Sequence, residues 1–151
     1  MRKMLKVTPI ITGLIILISL FITGCSSDTG EPLTEEDGYS IKILSGSKQI
    51  ASLSLSELQS LPKVSLTAYG KSEEGPTLLS VLELAGVEEY TKVTVIGMVR
   101  GRIASAELTL TRSEITDEVI LDFSNRGTCK LAGATIPDDN WIIDVEEMRL
   151  E

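Results

Sequence analysis

Side chains that ionise, ligate or attack are few and unevenly chosen in this chain. It contains no histidine, the usual near-neutral base and the commonest metal ligand, so His-based triads and His-ligated zinc or iron sites are excluded. It has two cysteines, Cys25 and Cys129, too few for a disulfide-dense mini-protein. Cys129 has two readings. It is a reactive thiol, an intermolecular disulfide partner or a low-ranking metal ligand, with Arg126 and Lys130 near enough in sequence to lower its pKa; or it is a small buried hydrophobe on a strand. Arg100 and Arg102 flank Gly101 in one predicted turn, and Arg126 and Lys130 flank a second. The arginine fork fits phosphate or carboxylate, which makes Arg100, Arg102 and Arg126 candidate contacts for a small anionic ligand. The competing reading is two solvated turns that balance neighbouring acids. The paired acids Glu88-Glu89 and Glu146-Glu147 do not converge as acid–base work requires, since adjacent strand residues point to opposite faces. Asp138-Asp139 falls short of the oxygens that calcium needs. No phosphate-cradling glycine loop and no serine nucleophile motif occurs, so no residue is assigned a catalytic role.

The charge distribution points to a place rather than a reaction. Arg2, Lys3 and Lys6 precede the uncharged run Val7–Ile22, after which comes Ile22-Thr23-Gly24-Cys25. A basic start, an apolar stretch and a small residue before the cut describe a secretory signal. The cysteine directly after Gly24 resembles a bacterial lipobox. That resemblance implies cleavage after Gly24, a diacylglyceryl thioether on Cys25, and attachment to the extracytoplasmic face of the cell membrane. The alternative is an uncleaved membrane helix, but Pro9, Gly13 and several hydroxyls interrupt the stretch, leaving it nearer a signal core than a span of about 20 residues. From Cys25 onward the chain has 11 basic and 22 acidic residues, a net charge of −11. A phosphate backbone would be repelled, so a nucleic-acid partner is excluded. Residues 1–24 are therefore read as a lipoprotein signal peptide. Residues 25–38 (through SSDTGEPLTEEDG) are a lipidated cysteine and an acidic, flexible tether. Residues 39–151 are one domain, the size that a chain of 151 residues allows.

Within that domain the periodicity is mostly two, with short helices between strands. Tyr39–Leu44 alternates as a strand, Ser45-Gly46-Ser47 turns, and Lys48–Leu53 returns as a hairpin arm. Ser54-Leu55-Ser56-Glu57 has the spacing of a capping box and opens a short helix that closes before Pro62. Lys63–Tyr69 is a strand and Gly70–Pro76 a loop. Leu78–Ala85 is a helix closed by Gly86. Lys92–Met98 and Ile103–Leu110 are strands, followed by a helical turn around Thr111–Ile115. Glu118–Phe123 and Cys129–Ile136 are strands joined by Ser124–Gly127. Trp141–Leu150 closes the domain, with Trp141, Ile143 and Val145 on one face and a slip near Glu146-Glu147, as a bulge requires. The fold class is α+β: a compact, mixed, mainly β domain with short helices.

The segments LSLSELQSLPKVSLTAYG, EGPTLLSVLELAGV, KVTVIGMVRGRIASAELTL, EVILDFSNRGT and WIIDVEEMRLE, in that order, resemble the oxidoreductase molybdopterin-binding domain of the sulfite oxidase type. The likeness covers nearly all of residues 39–151 and is most specific over Gly75–Val87 and at Gly101. It implies that fold and a molybdopterin cofactor. In the family one protein thiolate, a soft ligand, holds the molybdenum, just after the strand that matches Val64–Thr67. This chain has Ala68 there, Arg100-Gly101-Arg102 in place of Asp-Gly-Tyr, and no histidine for the pterin. The expectation is therefore a domain that keeps the fold without the cofactor, serving as a binding or accessory module. The alternatives are a redox subunit that still binds molybdopterin, with arginines on its phosphate, and a scaffold for a membrane redox or transport complex.

Cys25 combines the lipobox flanks with a thiol that can be alkylated, and two or three acyl chains anchor stably where one does not. Cys25→Ser is expected to shift the protein out of the processed, membrane-bound fraction. A variant that still fractionates as a processed membrane species overturns the lipobox reading.

Overall fold

In the computed structural model the described residues are 38–99 and 105–151. Residues 1–37 (signal, Cys25 and most of the tether) and 100–104, including Arg100 and Arg102, lie outside them. The described part is mainly β with a few short helices: nine strands, two α-helices and one 3-10 turn.

The chain begins as a hairpin. β1 (Ser40–Ser45) and β2 (Lys48–Ser54) pair antiparallel across Gly46, whose φ of +60° suits a residue without Cβ. Ile41 and Ile43 are fully buried and Lys42 between them is exposed, the alternation of a half-buried strand. Helix α1 (Leu55–Ser60) starts on the expected capping box. The Ser54 hydroxyl accepts from the Glu57 amide, and the Glu57 carboxylate accepts from the Ser54 amide at 2.8 Å. Six residues cannot sustain a helix alone. The box contributes about 1 kcal/mol, and burial of Leu58 contributes roughly 2 kcal/mol. Helix α2 (Leu78–Leu84) is capped by Thr77 and buries Leu78, Val81 and Leu82 along one stripe. It ends in a Schellman motif: Val87 N–H donates to Leu82 O and Gly86 N–H to Glu83 O, both at 2.9 Å, with Gly86 at φ +74°.

Gly70–Pro76, read from sequence as a loop, is largely a strand. β3 (Val64–Ala68) and β4 (Lys71–Gly75) pair antiparallel about Tyr69-Gly70, both at positive φ (53° and 72°), the two-residue turn whose twist matches a hairpin. The charged run KSEE hid the strand because its side chains meet an ion cluster rather than an apolar face. β4 lies against β7 (Val119–Phe123) so closely that a Cβ on Gly75 would stand 1.9 Å from the Leu121 carbonyl oxygen. The glycine that opens the most specific stretch of the family likeness therefore has a packing reason to be one.

The larger sheet has seven strands. Its path runs β2, β1, β9 (Ile142–Leu150), β5 (Lys92–Val99), β6 (Ser105–Thr111), with β8 (Cys129–Gly133) also on β9 and β7 on β8. β9 is parallel to β1 and antiparallel to β5. β6 completes that side. The slip expected near Glu146-Glu147 begins earlier, at Asp144, where φ is +49°. Across it, Ile96 pairs with Glu147 and Met98 with Ile143, so β9 holds extra residues opposite Gly97. The inward set is consequently Trp141, Ile142, Val145, Met148 and Leu150, and Ile143 is only half-buried, which corrects the simple alternation. β8 ends at Gly133 rather than Ile136, and residues 112–114 form a hydrogen-bonded turn closed by Glu114 N–H to Thr111 O at 2.9 Å.

Gly75→Ala should cost about 3 kcal/mol or more, because β4 must back away from a fixed carbonyl and forfeit the Leu121–Pro76 hydrogen bond. Gly46→Ala meets no atom within 4 Å and should cost only about 1 kcal/mol, for its φ. Urea unfolding midpoints of the two variants check the order.

Candidate functional site

The position that the family likeness assigns to the metal thiolate is Ala68, at the inner end of β3. It is buried and pairs with Lys71 across the tight turn. Beyond it stands Trp141, 4% exposed, whose indole N–H donates to Ile136 O at 3.0 Å and fixes the ring. Three side chains converge on that ring. Tyr69 meets it edge-on at 6.0 Å between centroids, Lys71 Nζ lies 5.0 Å from its centroid, and Lys130 Nζ 5.4 Å. The tight turn places Tyr69 and Lys71, and the β8 pairing of Leu131 with Ile142 brings Lys130 alongside.

Both ammonium groups are already matched. Lys71 Nζ is 2.8 Å from Asp138 Oδ2; Lys130 Nζ is 2.7 Å from Glu73 Oε2 and 3.1 Å from Asp122 Oδ2. The Lys71 hydrogen bond holds the Asp138 carboxyl below its ordinary pKa. The two pairs differ in consequence. Lys71–Asp138 is open to water and contributes little. Lys130, Glu73 and Asp122 are mostly shielded, so losing the lysine would strand two acids. Two cations face three carboxylates here, and the hollow between them holds only about 70 Å3, far below the roughly 300 Å3 at which small-molecule sites begin.

The described residues around Ala68 therefore do not fit a molybdopterin centre. A methyl group stands where a thiolate is needed, the lysines are neutralised by carboxylates that would repel a phosphate, and the hollow beside Trp141 is too small for a pterin. Nor do the described residues hold any group of three or more acids and cysteines able to bind a metal.

The remaining sequence candidates fall elsewhere. Arg126 does not join the Trp141 cluster: its Nη2 lies 2.8 and 3.0 Å from the two oxygens of Asp144. Thr128 Oγ1 donates to the same carboxylate at 2.7 Å. This clasp holds the bulge residue Asp144 through one Arg126 nitrogen, on a side chain that is otherwise exposed. Cys129 is fully buried, and its amide donates to the Tyr39 hydroxyl at 3.0 Å while Tyr39 donates to Val145 O. Burial pushes the thiol up to about 11, with the Tyr39 hydrogen bond opposing the shift and Asp122 adding to it. Burial, then the Cys129 thiolate, also raises the Tyr39 phenol well above its usual value. Arg126 and Lys130 do not lower the Cys129 pKa, because one is tied to Asp144 and the other to Glu73 and Asp122. The inert small-hydrophobe reading is the one that the geometry matches.

Tyr69, Lys71 and Tyr39 were not singled out as site residues from sequence. The Tyr69-Gly70 pair carried a usable signal, since a Gly that closes a β-forming run marks a turn. Nothing local announces that Lys71 meets Asp138 from 67 residues away.

Cys129 should resist thiol reagents at pH 8 in a Cys25→Ser background and react fully once unfolded. The linkage has a definite sign: the folded thiol keeps its proton between pH 9 and about 11, where the unfolded one loses it. Its contribution is fully present below pH 9 and disappears as pH rises through 11, amounting to about 1 kcal/mol lost by pH 10. The stability difference between wild type and Cys129→Ala, followed by urea unfolding from pH 8 to 10, should shrink by that amount.

No family model matches this chain, and no curated protein is significantly similar to it.

Proposed function

We propose that this protein is a lipid-anchored module on the extracytoplasmic face of the cell membrane. Its domain, residues 39–151, has the sulfite oxidase type of molybdopterin-binding fold and acts by binding rather than by molybdenum redox chemistry. The mainly β architecture with two short helices is compatible with that fold. The lipobox-like Ile22–Cys25 and the acidic tether carry the anchoring half of the reading.

One observation carries the non-catalytic half. The matching ligand position is Ala68, and the other thiol of the domain, Cys129, is fully buried with its proton held up to about 11. A metal thiolate needs a group that deprotonates and faces the metal. Neither residue meets that requirement. The Trp141 cluster then serves as a braced corner in which a small ion network replaces the cofactor contacts. Partners consistent with the reading are the membrane itself, a small ligand, or a membrane protein beside which the anchored domain lies.

Purified from a host that synthesises molybdopterin, the protein should contain less than about one-tenth equivalent of molybdenum, by the ligand argument above. Near-stoichiometric molybdenum that vanishes in Cys129→Ala would make Cys129 a ligand and overturn the reading. Metal kept in that variant but lost in Arg100→Ala or Arg102→Ala would overturn it too, in favour of capture without a thiolate.

A further inference from the structure

Away from Trp141, the Schellman turn at Gly86 folds the chain back beneath α2 and leaves a hollow of about 380 Å3 between that helix and the end of β6. This is within the range of small-ligand sites. Leu79, Leu82 and Val87 give it an apolar floor. Tyr90 forms one wall, with the Arg112 guanidinium 5.2 Å from its ring centroid, and Glu83 and Glu88 stand at the rim.

Two contacts fix the backbone at Arg112 and a third holds its side chain. Its amide donates to Thr91 O at 3.0 Å. The turn that it opens is locked by Glu114, whose carboxylate accepts from the Thr111 amide at 2.8 Å and hydroxyl at 2.7 Å. Its guanidinium makes a cation–π contact with Tyr90. Yet no carboxylate of the described residues lies within ion-pair distance of it, whereas Arg126 and Arg149 both have one. A guanidinium beside an aromatic ring and above an apolar floor offers its forked donors to a carboxylate. A purely anionic ligand would nevertheless be repelled by Glu83 and Glu88 and by a domain that is acidic overall. A zwitterion satisfies both signs.

We propose that this hollow binds a free α-amino acid with an apolar side chain. The carboxylate is taken by Arg112, the ammonium faces Glu83 and Glu88, and the side chain lies on Leu79, Leu82 and Val87. This goes beyond the accessory reading above and is independent of molybdenum content, so either can fail without the other.

Equilibrium dialysis of the full-length protein in detergent micelles against radiolabelled L-leucine tests it. Saturable binding is expected, weakened about ten- to a hundredfold by Arg112→Gln. L-Leucinamide, without the carboxylate, and N-acetyl-L-leucine, without the ammonium, should both compete poorly, and L-aspartate not at all. Glu83→Gln with Glu88→Gln should narrow the gap between L-leucine and its N-acetyl derivative. No saturable L-leucine binding, wild-type binding by Arg112→Gln, or equal competition by N-acetyl-L-leucine or L-leucinamide each overturns the proposal. Arg112 is exposed and its amide bond to Thr91 does not use the side chain, so the variant can be checked as folded by its unchanged unfolding midpoint.

Discussion

The irregularity in β9 is the constraint on which the rest of the domain depends. A regular strand would run beside one neighbour on each edge. Here β5 occupies one edge, while the other is shared, first by β8 at Ile142 and then by β1 from Glu147 onward. Changing neighbours within nine residues needs a bend, and Asp144 at φ +49° provides it against Gly97. A Cβ on Gly97 would stand 2.7 Å from both the Ile142 side chain and the Ile143 carbonyl, and 2.8 Å from the Asp144 carbonyl. A non-glycine residue at positive φ costs of order 1 kcal/mol, and the Arg126 and Thr128 bonds to the Asp144 carboxylate offset that cost locally. The bend also turns Trp141 toward the β3–β4 hairpin and so sets the geometry of the ion cluster.

Polar groups in the interior follow from the same bend. Where β9 swings from β8 to β1, the Val145 carbonyl and the Cys129 amide are left without a ladder partner. Tyr39 fills both roles with one hydroxyl, donating to the first and accepting from the second. None of the buried side-chain oxygens and nitrogens among the described residues lacks a partner. Cys129 itself is passive because burial holds its proton, against the opposing hydrogen bond from Tyr39.

Elements whose signal is local were legible in the sequence, and elements defined by distant partners were not. The Ser54–Glu57 box, the Leu78–Gly86 helix and the Ser45–Ser47 hairpin are each settled within a few residues by capping, periodicity or a turn glycine. β4 was missed because Lys71, Glu73 and Glu74 read as a solvated loop until Lys130, Asp122 and Asp138 arrive from the other end of the chain. The position of the bulge was read two residues late, since the apolar spacing of Ile142, Ile143 and Val145 fits either phase. At the site, Arg126, Cys129, Lys130 and Trp141 are visible in the sequence, but their partners Asp144, Tyr39, Glu73 and Tyr69 are not. Chemical type is visible in a sequence; which charge neutralises which is a property of topology. Arg126 illustrates the difference: the sequence offers it as an anion contact or a solvated charge, and the topology adds its bond to Asp144.

Tyr39 has one more role, and it is mechanical. Chain ends usually fray, yet this residue, the second of the described domain, is stitched to Leu55 through its carbonyl at 3.3 Å. Its hydroxyl bonds to groups 90 and 106 residues away. Tension transmitted along the chain from the direction of Cys25 would thus reach a rivet before it reaches a strand. It would be divided at once among α1, β8 and β9 instead of peeling β1 from its hairpin. A domain loaded through its leading end is strongest if that end is a junction, and the Tyr39 phenol makes it one.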